Sequence, residues 1–467
     1  MLGLYHSRRG INRRDALRLG GLSLGGMSLG GLLPGMLGAP AQAAEARLPM
    51  TGKSVILLFM HGGPSQIETF DPKMTAPEGI RSVTGEIATS IPGVTFGSTF
   101  EKLAALAHRF SVVRSYVTGD GNHDIKPVVG RDSGGANLGS YYAQVAGPND
   151  RVTGMPTNAA LFPQAVDPTT GPAIRDFGDF TATGTLGSAT APFVPGAGGQ
   201  LQKDMELRLT AERLGDRRAL LGELDRVRFH LDEGGKLAGL DGIRAQAFSA
   251  LLGGVAGAFD LSREDERTVA RYDTAPLVRP DQISRKWNNY NMYVDNAKSL
   301  GKLLLLARRL CEAGCGFVTV TTAFVWDMHS DINNAGVAEG MRYMGTPFDH
   351  AVSAFLEDVE SRGLSDRILL VCSGEMGRTP QVNAGGGRDH WGGLAPLLLS
   401  GGGLQPGRVI GQSTRNAGEP QTEPVRISHL VATILQTLFD AGELRVTRGV
   451  PDAIINAATA PSIPGLA

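Results

Sequence analysis

The fold of this chain is decided by one apolar run, Ser54-Val-Ile-Leu-Leu-Phe-Met60, which is followed at once by the polar turn His61-Gly-Gly-Pro-Ser65. A continuous apolar run of this length, ended by Gly and Pro, predicts a strand that is buried on both faces. Strands of this kind occur in parallel sheets that carry helices on both sides. Further runs of the same character lie at residues 110–113, 317–322, 368–372 and 396–399.

Helical patterns lie between these runs. Spacings of four, three and four predict a helix face made of Phe348, Val352, Phe355 and Val359. We expect this helix to open at Asp349 and His350 and to stop at Gly363. A longer helix is expected from near Asn291 to Leu310, and a charged amphipathic helix at residues 207–231. The alternation predicts an α/β fold with a mostly parallel central sheet and helices on both faces.

The composition excludes several classes of protein. The 467 residues are 42% hydrophobic and 19% charged, which is enough apolar side chain for a packed core and excludes an intrinsically disordered chain. The net charge of −1 gives no overall field that would attract nucleic acid or an anionic membrane. Three cysteines are too few for a disulfide framework or for a zinc site of four thiolates.

The first 43 residues have the features of a twin-arginine signal peptide. Arg13-Arg14 precedes an uncharged run from Leu19 to Leu37, and Ala41-Gln-Ala43 fits a cleavage site. Glycines and a proline interrupt the run, so we expect no stable membrane span. We therefore expect the twin-arginine machinery to export the protein to the periplasm or the extracellular space. Residues 44–467 are expected to form a single α/β domain with a loop-rich insertion near 164–200.

Polar residues follow the predicted strands, where ligands bind in open α/β sheets. Four histidines lie in these loops, together with three carboxylates: His61, His123, His329 and His390, with Asp327, Glu375 and Asp389. Imidazoles and carboxylates that converge from separate segments predict a divalent metal site for zinc, manganese or iron. The loops contain no cysteine, so thiolate ligands are excluded. The ligands that we predict are His61, Asp327, His329, Glu375, Asp389 and His390.

Each of these segments also has a purely structural interpretation. The turn at His61-Gly-Gly-Pro64 is either a tight turn alone or an oxyanion-hole loop. Asp327 and His329 are either ligands or a hydrogen-bonded pair at a strand end. Glu375 is either a ligand or the partner of Arg378 in a salt bridge, and Asp389-His390 is either part of the site or a surface loop.

Five stretches together resemble the exported family catalogued as domain of unknown function 1501, of the alkaline phosphatase and sulfatase superfamily. These stretches are Phe59–Lys73, Leu306–Gly314, Trp326–His329, Gly374–Pro380 and Gly387–Trp391. The resemblance implies an alkaline-phosphatase-like fold with two divalent metals and a nucleophilic Ser, Thr or modified Cys between them. Asp327 and His329 resemble the superfamily's Asp-containing ligand loop, and His390 resembles its late histidine.

The sequence also departs from the superfamily pattern. Gly374-Glu375 replaces an adjacent Asp-His pair, and His61 stands near the position of the usual first Asp ligand. No Cys-x-Pro-x-Arg motif for formylglycine occurs, so an ordinary sulfatase mechanism is unsupported. Ser115 and Thr118 are the hydroxyls closest to the expected nucleophile position, and Arg378 is expected to steady an anionic substrate by a bidentate contact.

The resemblance implies an exported metal-dependent hydrolase that acts on a small anionic phosphate or sulfate ester. The alternative is a catalytically altered envelope protein that uses the same fold for ligand binding or for assembly. A serine esterase with His61-Gly-Gly-Pro64 as its oxyanion loop is a weaker third possibility, because no Gly-x-Ser-x-Gly motif follows residue 43.

Overall fold

The computed structural model describes residues 49–196 and 255–466. The expected signal peptide at residues 1–43 and the expected helix at 207–231 lie outside the described residues. Structural statements below concern the described part of the chain.

The strands of the described ranges are short. They are β1 (Ser54–Phe59), β2 (Glu86–Ala88), β3 (Thr95–Gly97), β4 (Ser111–Val113), β5 (Tyr116–Val117), β6 (Asn158–Leu161), β7 (Phe317–Thr321), β8 (Ile368–Ser373), β9 (Gly377–Val382), β10 (Arg388–Trp391), β11 (Leu397–Gly401), β12 (Val409–Ile410) and β13 (Val425–Arg426).

Two long helices stand out among shorter ones. The helices are α1 (Glu101–Ala105), α2 (Leu138–Ala146), α3 (Ala256–Phe259), α4 (Glu266–Tyr272), α5 (Tyr290–Glu312), α6 (Val337–Ser361), α7 (Ile427–Leu438), α8 (Ala441–Val446) and α9 (Asp452–Thr459). In the two described ranges, no helix combines the length and the apolar character that a bilayer crossing requires.

Seven strands form one mixed, mostly parallel sheet in the order β12-β4-β11-β8-β1-β7-β6. β1 lies near the centre and pairs in parallel with both β7 and β8. β11 runs antiparallel to its neighbours β4 and β8. The predicted fold class is confirmed, and all five runs that the sequence marks as strands are strands of this sheet.

The apolar run of β1 is buried on both faces of the sheet, as its pattern predicts. Val55, Leu57 and Phe59 belong to one core cluster, together with residues of α2 and α7. Ile56 and Leu58 belong to the other cluster, together with residues of α5 and α6. Full burial stabilises each such side chain by about 1.5–3 kcal/mol, so one strand contributes to both layers of the core. The predicted helices on both faces are therefore confirmed.

The predicted start of α6 is wrong, because the helix begins at Val337 and not at Asp349. Asp349 lies inside the helix, and its carboxylate accepts hydrogen bonds from the backbone N–H groups of Lys102 (3.0 Å) and Leu103 (2.7 Å). These N–H groups belong to the first turn of α1 and have no partner within that helix. The acid thus stabilises the start of a neighbouring helix and does not cap its own.

Residues 164–196 form no α-helix or strand, only short 3-10 turns such as Ser188–Thr190. We call this segment the excursion. Phe180 of the excursion is buried against Phe59 of β1 and Phe162. Its aromatic residues therefore reach the end of the central strand.

We predict that Gly301→Ala destabilises the fold. Gly301 lies in α5, and a Cβ atom at this position would overlap the backbone oxygen of Tyr272 at the end of α4. Overpacking of this kind costs about 1–3 kcal/mol or more, since two helices must separate. Chemical denaturation of the variant measures the loss in the free energy of unfolding.

Gly187→Ala is the matched control, because no atom lies within 4 Å of the added methyl group and the φ of Gly187 is −65°. We expect its free energy of unfolding to match that of the parent protein. Equal stability of the Gly301 and Gly187 variants would contradict the close packing of α4 on α5.

Candidate metal centre

The candidate site lies beyond the carboxyl ends of β1, β7 and β8, where the loops after these strands meet. Gly62 allows the loop after β1 to approach the loop after β7 closely. Its φ is +111°, and a Cβ atom there would lie 2.6 Å from the backbone nitrogen of Asp327. This close approach allows the N–H of Trp326 to donate to the carbonyl of His61 at 3.1 Å. Only glycine combines this backbone conformation with the missing side chain.

Four side chains converge at this point: His123, Asp327, His329 and His390. One ligand atom from each lies within 4.8 Å of all the others, and we call these residues the four-residue group. The Nε2 atoms of His329, His390 and His123 lie 2.9, 3.4 and 3.5 Å from Oδ1 of Asp327. Ligand atoms about 2.1 Å from a tetrahedral ion lie about 3.4 Å apart. The group therefore has the dimensions of a site for one divalent cation.

In two of these histidines Nδ1, which we call the outer nitrogen because Nε2 is the one that faces Asp327, lies beside a carboxylate. Nδ1 of His123 lies 3.1 Å from Oε1 of Glu375, and Nδ1 of His329 lies 3.2 Å from Oδ1 of Asp389. A neutral imidazole has one proton, so donation from Nδ1 leaves the lone pair of Nε2 directed at Asp327. At His329 this lone pair also accepts an N–H of Arg378. At His123 a lone pair that faces a carboxylate is unfavourable unless a proton or a cation lies between them. Metal-binding histidines commonly have such carboxylate partners.

Glu375 and Asp389 therefore do not occupy the ligand positions that the sequence analysis assigns to them. Each contacts the outer nitrogen of a histidine and lies outside the four-residue group. Glu375 is fully buried and also accepts the N–H of Gly62 at 2.9 Å. Burial raises its pKa, although the hydrogen bond from His123 opposes the rise. Because Glu375 takes the N–H of Gly62, this N–H is not free to act in an oxyanion hole.

Asp327 is the centre of the group. Its Oδ2 accepts from Nδ2 of Asn334 at 3.1 Å, and its Oδ1 accepts from Nη2 of Arg378 at 2.5 Å. Burial alone would raise its pKa. The close Nε2 atoms of His123, His329 and His390 and the charge of Arg378 outweigh burial and hold the pKa of Asp327 well below its usual range. Asp327 is thus an ionised, fixed carboxylate.

Arg378 differs from the anion-binding residue that we expect from the sequence. The side chain is fully buried, and a guanidinium has five N–H donors. All five have protein acceptors: Nε donates to Gly63 O, Nη1 to His329 Nε2 and Arg388 O, and Nη2 to Asp327 Oδ1 and Gly62 O. A bidentate contact with a substrate would break two of these bonds. The expected salt bridge with Glu375 is also replaced, because the carboxylate partner of Arg378 is Asp327.

The formal charges of the site leave room for one divalent cation. Three carboxylates, those of Asp327, Glu375 and Asp389, face the single guanidinium of Arg378 when all are ionised. One unit of negative charge is buried and must be neutralised by a partner or a metal, and the exposed carboxylate of Asp389 brings the net charge to −2. One divalent ion balances it, whereas two would leave a positive excess.

His61 is not a member of the four-residue group, contrary to its predicted role as a ligand. Only 1% of the side chain is exposed, and its ring packs against four aromatic rings, those of Phe59, Phe177, Phe180 and Phe324. Nε2 of His61 is buried and has no hydrogen-bond partner. Burial lowers its pKa to about 3. An apolar cage of this kind holds a neutral imidazole.

The two predicted nucleophiles are buried hydroxyls in different places. Ser115 lies against Gly411 and Thr422, which belong to neither the group nor its contacts. Thr118 is closer to the site, because its N–H donates at 3.3 Å to the carbonyl of Gly392, two residues beyond His390. Both hydroxyl oxygens lack a partner. Within the described ranges, no Ser or Thr hydroxyl hydrogen-bonds to the side chains of the group.

His123 is the member of the group that the sequence analysis left out of its ligand set. It was recognised as one of four histidines in loops after the strands, but it lies in none of the five family-like stretches. Burial lowers the pKa of His123, but hydrogen bonds with Asp327 and Glu375 outweigh this effect and raise it. The available signal was its setting in the loop Asp120-Gly-Asn-His-Asp124. That loop crosses the site, since a Cβ atom on Gly121 would lie 3.0 Å from Cβ of His390.

A buried ion pair holds the β10 segment that carries His390. Arg388 donates to Oε1 of Glu68 from Nε at 3.0 Å and from Nη2 at 2.8 Å, and both side chains are fully buried. Glu68 also accepts from the hydroxyl of Ser82 at 2.6 Å. The pair joins the loop after β1 to the late histidine loop, so it fixes the distance between two parts of the site.

Comparison with known proteins gives a family and several distant structures. No curated protein matches the chain in sequence. The crystal structure of Ps i-CgsB in complex with k-i-k-neocarrahexaose is 11% identical, with a TM-score of 0.35, over 88% of this chain and 74% of that one. The PsFucS1 sulfatase from Pseudoalteromonas sp. is 11% identical, with a TM-score of 0.32, over 82% and 67%.

Because the sequence identity is 11% and both TM-scores are below 0.5, no activity of these two proteins can be assigned to the present chain. The sequence profile of one family, in contrast, matches residues 52–446, which is most of the protein. The chain belongs to the family described as "Protein of unknown function (DUF1501)".

Proposed function

We propose that the protein is a metal-dependent hydrolase of phosphate or sulfate esters, with zinc, manganese or iron as the metal. The observation that carries the proposal is the convergence of three imidazoles on one oxygen of Asp327 at 2.9–3.5 Å. The carboxylates on the outer nitrogens of His123 and His329 support it, because they fix the tautomer that a metal requires.

A divalent cation at this position supplies Lewis-acid chemistry, which polarises an ester oxygen and lowers the pKa of water. The chain itself supplies the geometry. Asn334 and Arg378 fix the two oxygens of Asp327, so this carboxylate presents a constant direction to the site. The stacked rings of Phe177 and Phe324, with centroids 4.3 Å apart, cover His123 and exclude water from that side.

The nucleophile that we propose is water. This choice rests on the lack of a hydrogen bond between any described Ser or Thr hydroxyl and the four-residue group. Thr118 stays a candidate for contact with the substrate, because it lies beside Gly392 near His390. Ser115 is less suitable, since its neighbours lie elsewhere.

One observation favours a second candidate function, the catalytically altered protein that binds a ligand or assembles with partners. Arg378 donates all five N–H groups to the protein, so no guanidinium of the site is free for a substrate anion. A metal-binding envelope protein without turnover would have the same geometry. The two candidates differ in whether the bound metal supports hydrolysis.

We predict one divalent ion for each chain and chelator-sensitive hydrolysis of generic aryl phosphate or aryl sulfate esters. Elemental analysis of the purified protein gives the stoichiometry, and turnover with and without chelator tests the activity. Asp327→Ala should lose the metal and the activity, because Oδ1 of Asp327 is the atom shared by all three imidazoles.

Asp349→Asn is the control, since it alters a buried acid whose partners are backbone groups of α1. This variant should retain its metal and its turnover. Bound metal without hydrolysis of either ester class would favour the second candidate. Absence of metal from the parent protein, together with no uptake from solution, would contradict both.

We predict that Glu375→Gln weakens metal binding more than Asp389→Asn does. Both acids contact the outer nitrogen of a histidine, but Glu375 is fully buried whereas 59% of the Asp389 side chain is exposed. Removal of such a partner typically costs 10- to 100-fold in metal affinity, and solvent replaces an exposed partner more easily. Competition with a metal-sensitive dye measures both dissociation constants. Equal affinities for the parent and both variants would show that these carboxylates do not support a metal.

We also propose that the twin-arginine machinery exports the protein, on the basis of Arg13-Arg14 and the uncharged run that follows. The change of Arg13 and Arg14 to Lys should retain the protein in the cytoplasm, as cell fractionation would show. The sequence offers a matched control, because Arg8 and Arg9 form a second pair five residues earlier. Their change to Lys should leave export intact. Equal export of both double variants would contradict this proposal.

A further inference from the structure

His61 is a buried polar residue without a protein partner, next to the candidate metal centre. Its Nε2 has no hydrogen bond, and only 1% of the residue is exposed. Buried polar atoms are nearly always paired, and an unpaired one is costly. We propose that the partner of His61 Nε2 is an oxygen of the bound substrate, so that His61 is the side-chain hydrogen-bond donor for the oxyanion. This inference rests on the proposed function.

His61 and the four-residue group share the same aromatic neighbours. The ring of Phe324 lies 4.8 Å from that of His61 and 4.5 Å from that of His123, as measured between centroids. The ring of Phe177 lies 5.7 and 5.1 Å from the same two imidazoles. His61 and His123 are therefore joined by one layer of aromatic rings, which places His61 directly behind the four-residue group.

The backbone next to His61 is fixed to the site on both sides of Gly62. The N–H of Gly62 donates to Glu375 at 2.9 Å, and its carbonyl accepts from Arg378. The carbonyl of His61 accepts the N–H of Trp326 at 3.1 Å, directly before Asp327. These hydrogen bonds fix the main chain at His61 relative to Asp327 and Glu375, so the position of its side chain next to the site is fixed as well.

The site needs a donor of this kind. A phosphate or sulfate oxygen that does not touch the metal still requires a hydrogen-bond donor. The two buried guanidiniums near the group have little to offer. Four of the five N–H groups of Arg378 go to protein oxygens and the fifth faces Nε2 of His329, while Arg388 is bound to Glu68 and to backbone carbonyls. Glu375 uses the N–H of Gly62. Nε2 of His61 is the unpartnered polar atom that the loop after β1 retains.

A purely structural role for His61 is a poor fit to its surroundings. Its four aromatic neighbours form a cage that would take a phenyl ring of similar shape. A buried polar atom without a hydrogen bond retains its full desolvation cost, which an apolar ring of similar shape does not have. An imidazole in this cage therefore lowers stability, and a ligand contact gives a reason for its presence.

Two substitutions test the proposal. His61→Phe removes the donor and keeps a ring in the cage, whereas His61→Gln retains an N–H donor. For each metal-loaded variant, calorimetry gives the dissociation constants of inorganic phosphate and of inorganic sulfate, and chemical denaturation gives the free energy of unfolding. A hydrogen bond to a charged oxygen predicts that His61→Phe binds the preferred anion about 10- to 100-fold more weakly, at equal or higher stability and unchanged metal content. His61→Gln should recover part of this loss.

Ser353→Ala is the control for loss of an unpaired buried polar atom. Its hydroxyl lies in α6, is buried and has no partner, and the residue lines a cavity with Lys102 and His350, which do not belong to the group. This variant should bind the anion as the parent does. Equal anion affinity of His61→Phe and the parent would overturn the proposal and make His61 a structural residue. A parent protein that takes up no metal would instead refute the proposed function, so the two failures are distinguishable.

Discussion

The structure of the site depends on one carboxylate, that of Asp327, and on the direction in which it is held. Three imidazole nitrogens and one guanidinium nitrogen approach its Oδ1, while Asn334 holds Oδ2. So many polar contacts at one oxygen require a carboxylate that is ionised and fixed in position. The glycine at position 62 satisfies the second requirement, because it lets the loop after β1 lie directly against the backbone of Asp327.

The sheet explains why these residues meet at all. β1 pairs in parallel with β7 and β8, so the carboxyl ends of all three strands open at the same edge. His61 and Gly62, Trp326 and Asp327, and Glu375 follow these three ends within a few residues. The antiparallel β11 carries none of the group. β11 pairs with β4 and so extends the sheet on that side. In the sequence, β4 is followed by Thr118 and then by the loop that carries His123.

Most of the fold could be predicted from apolar runs, because strands buried on both faces leave a pattern that does not depend on their partners. The convergence of Asp327, His329 and His390 could also be predicted, since all three lie in the segments that come after the apolar runs of β7 and β8. The pattern could not show which nitrogen meets which carboxylate. Glu375 contacts Nδ1 of His123, which is 252 residues away, and Asp389 contacts Nδ1 of His329 although it is next to His390 in sequence. Likewise, Asp349 has the sequence position of a helix cap, yet its partners lie in α1, 246 residues away.

The family-like stretches contain two connected sets of contacts, one among the candidate metal ligands and one that supports them. Gln66 of the first stretch exchanges two hydrogen bonds with the backbone of Arg378, at 2.8 and 2.9 Å. Glu68 of the same stretch binds Arg388. Arg378 in turn holds Asp327, and Arg388 precedes the two residues Asp389 and His390. A single segment after β1 thereby positions the two later loops, although none of its own residues belongs to the four-residue group. Such a segment must keep its polar residues even where none of them touches a metal, because an uncompensated guanidinium would otherwise remain buried beside the site.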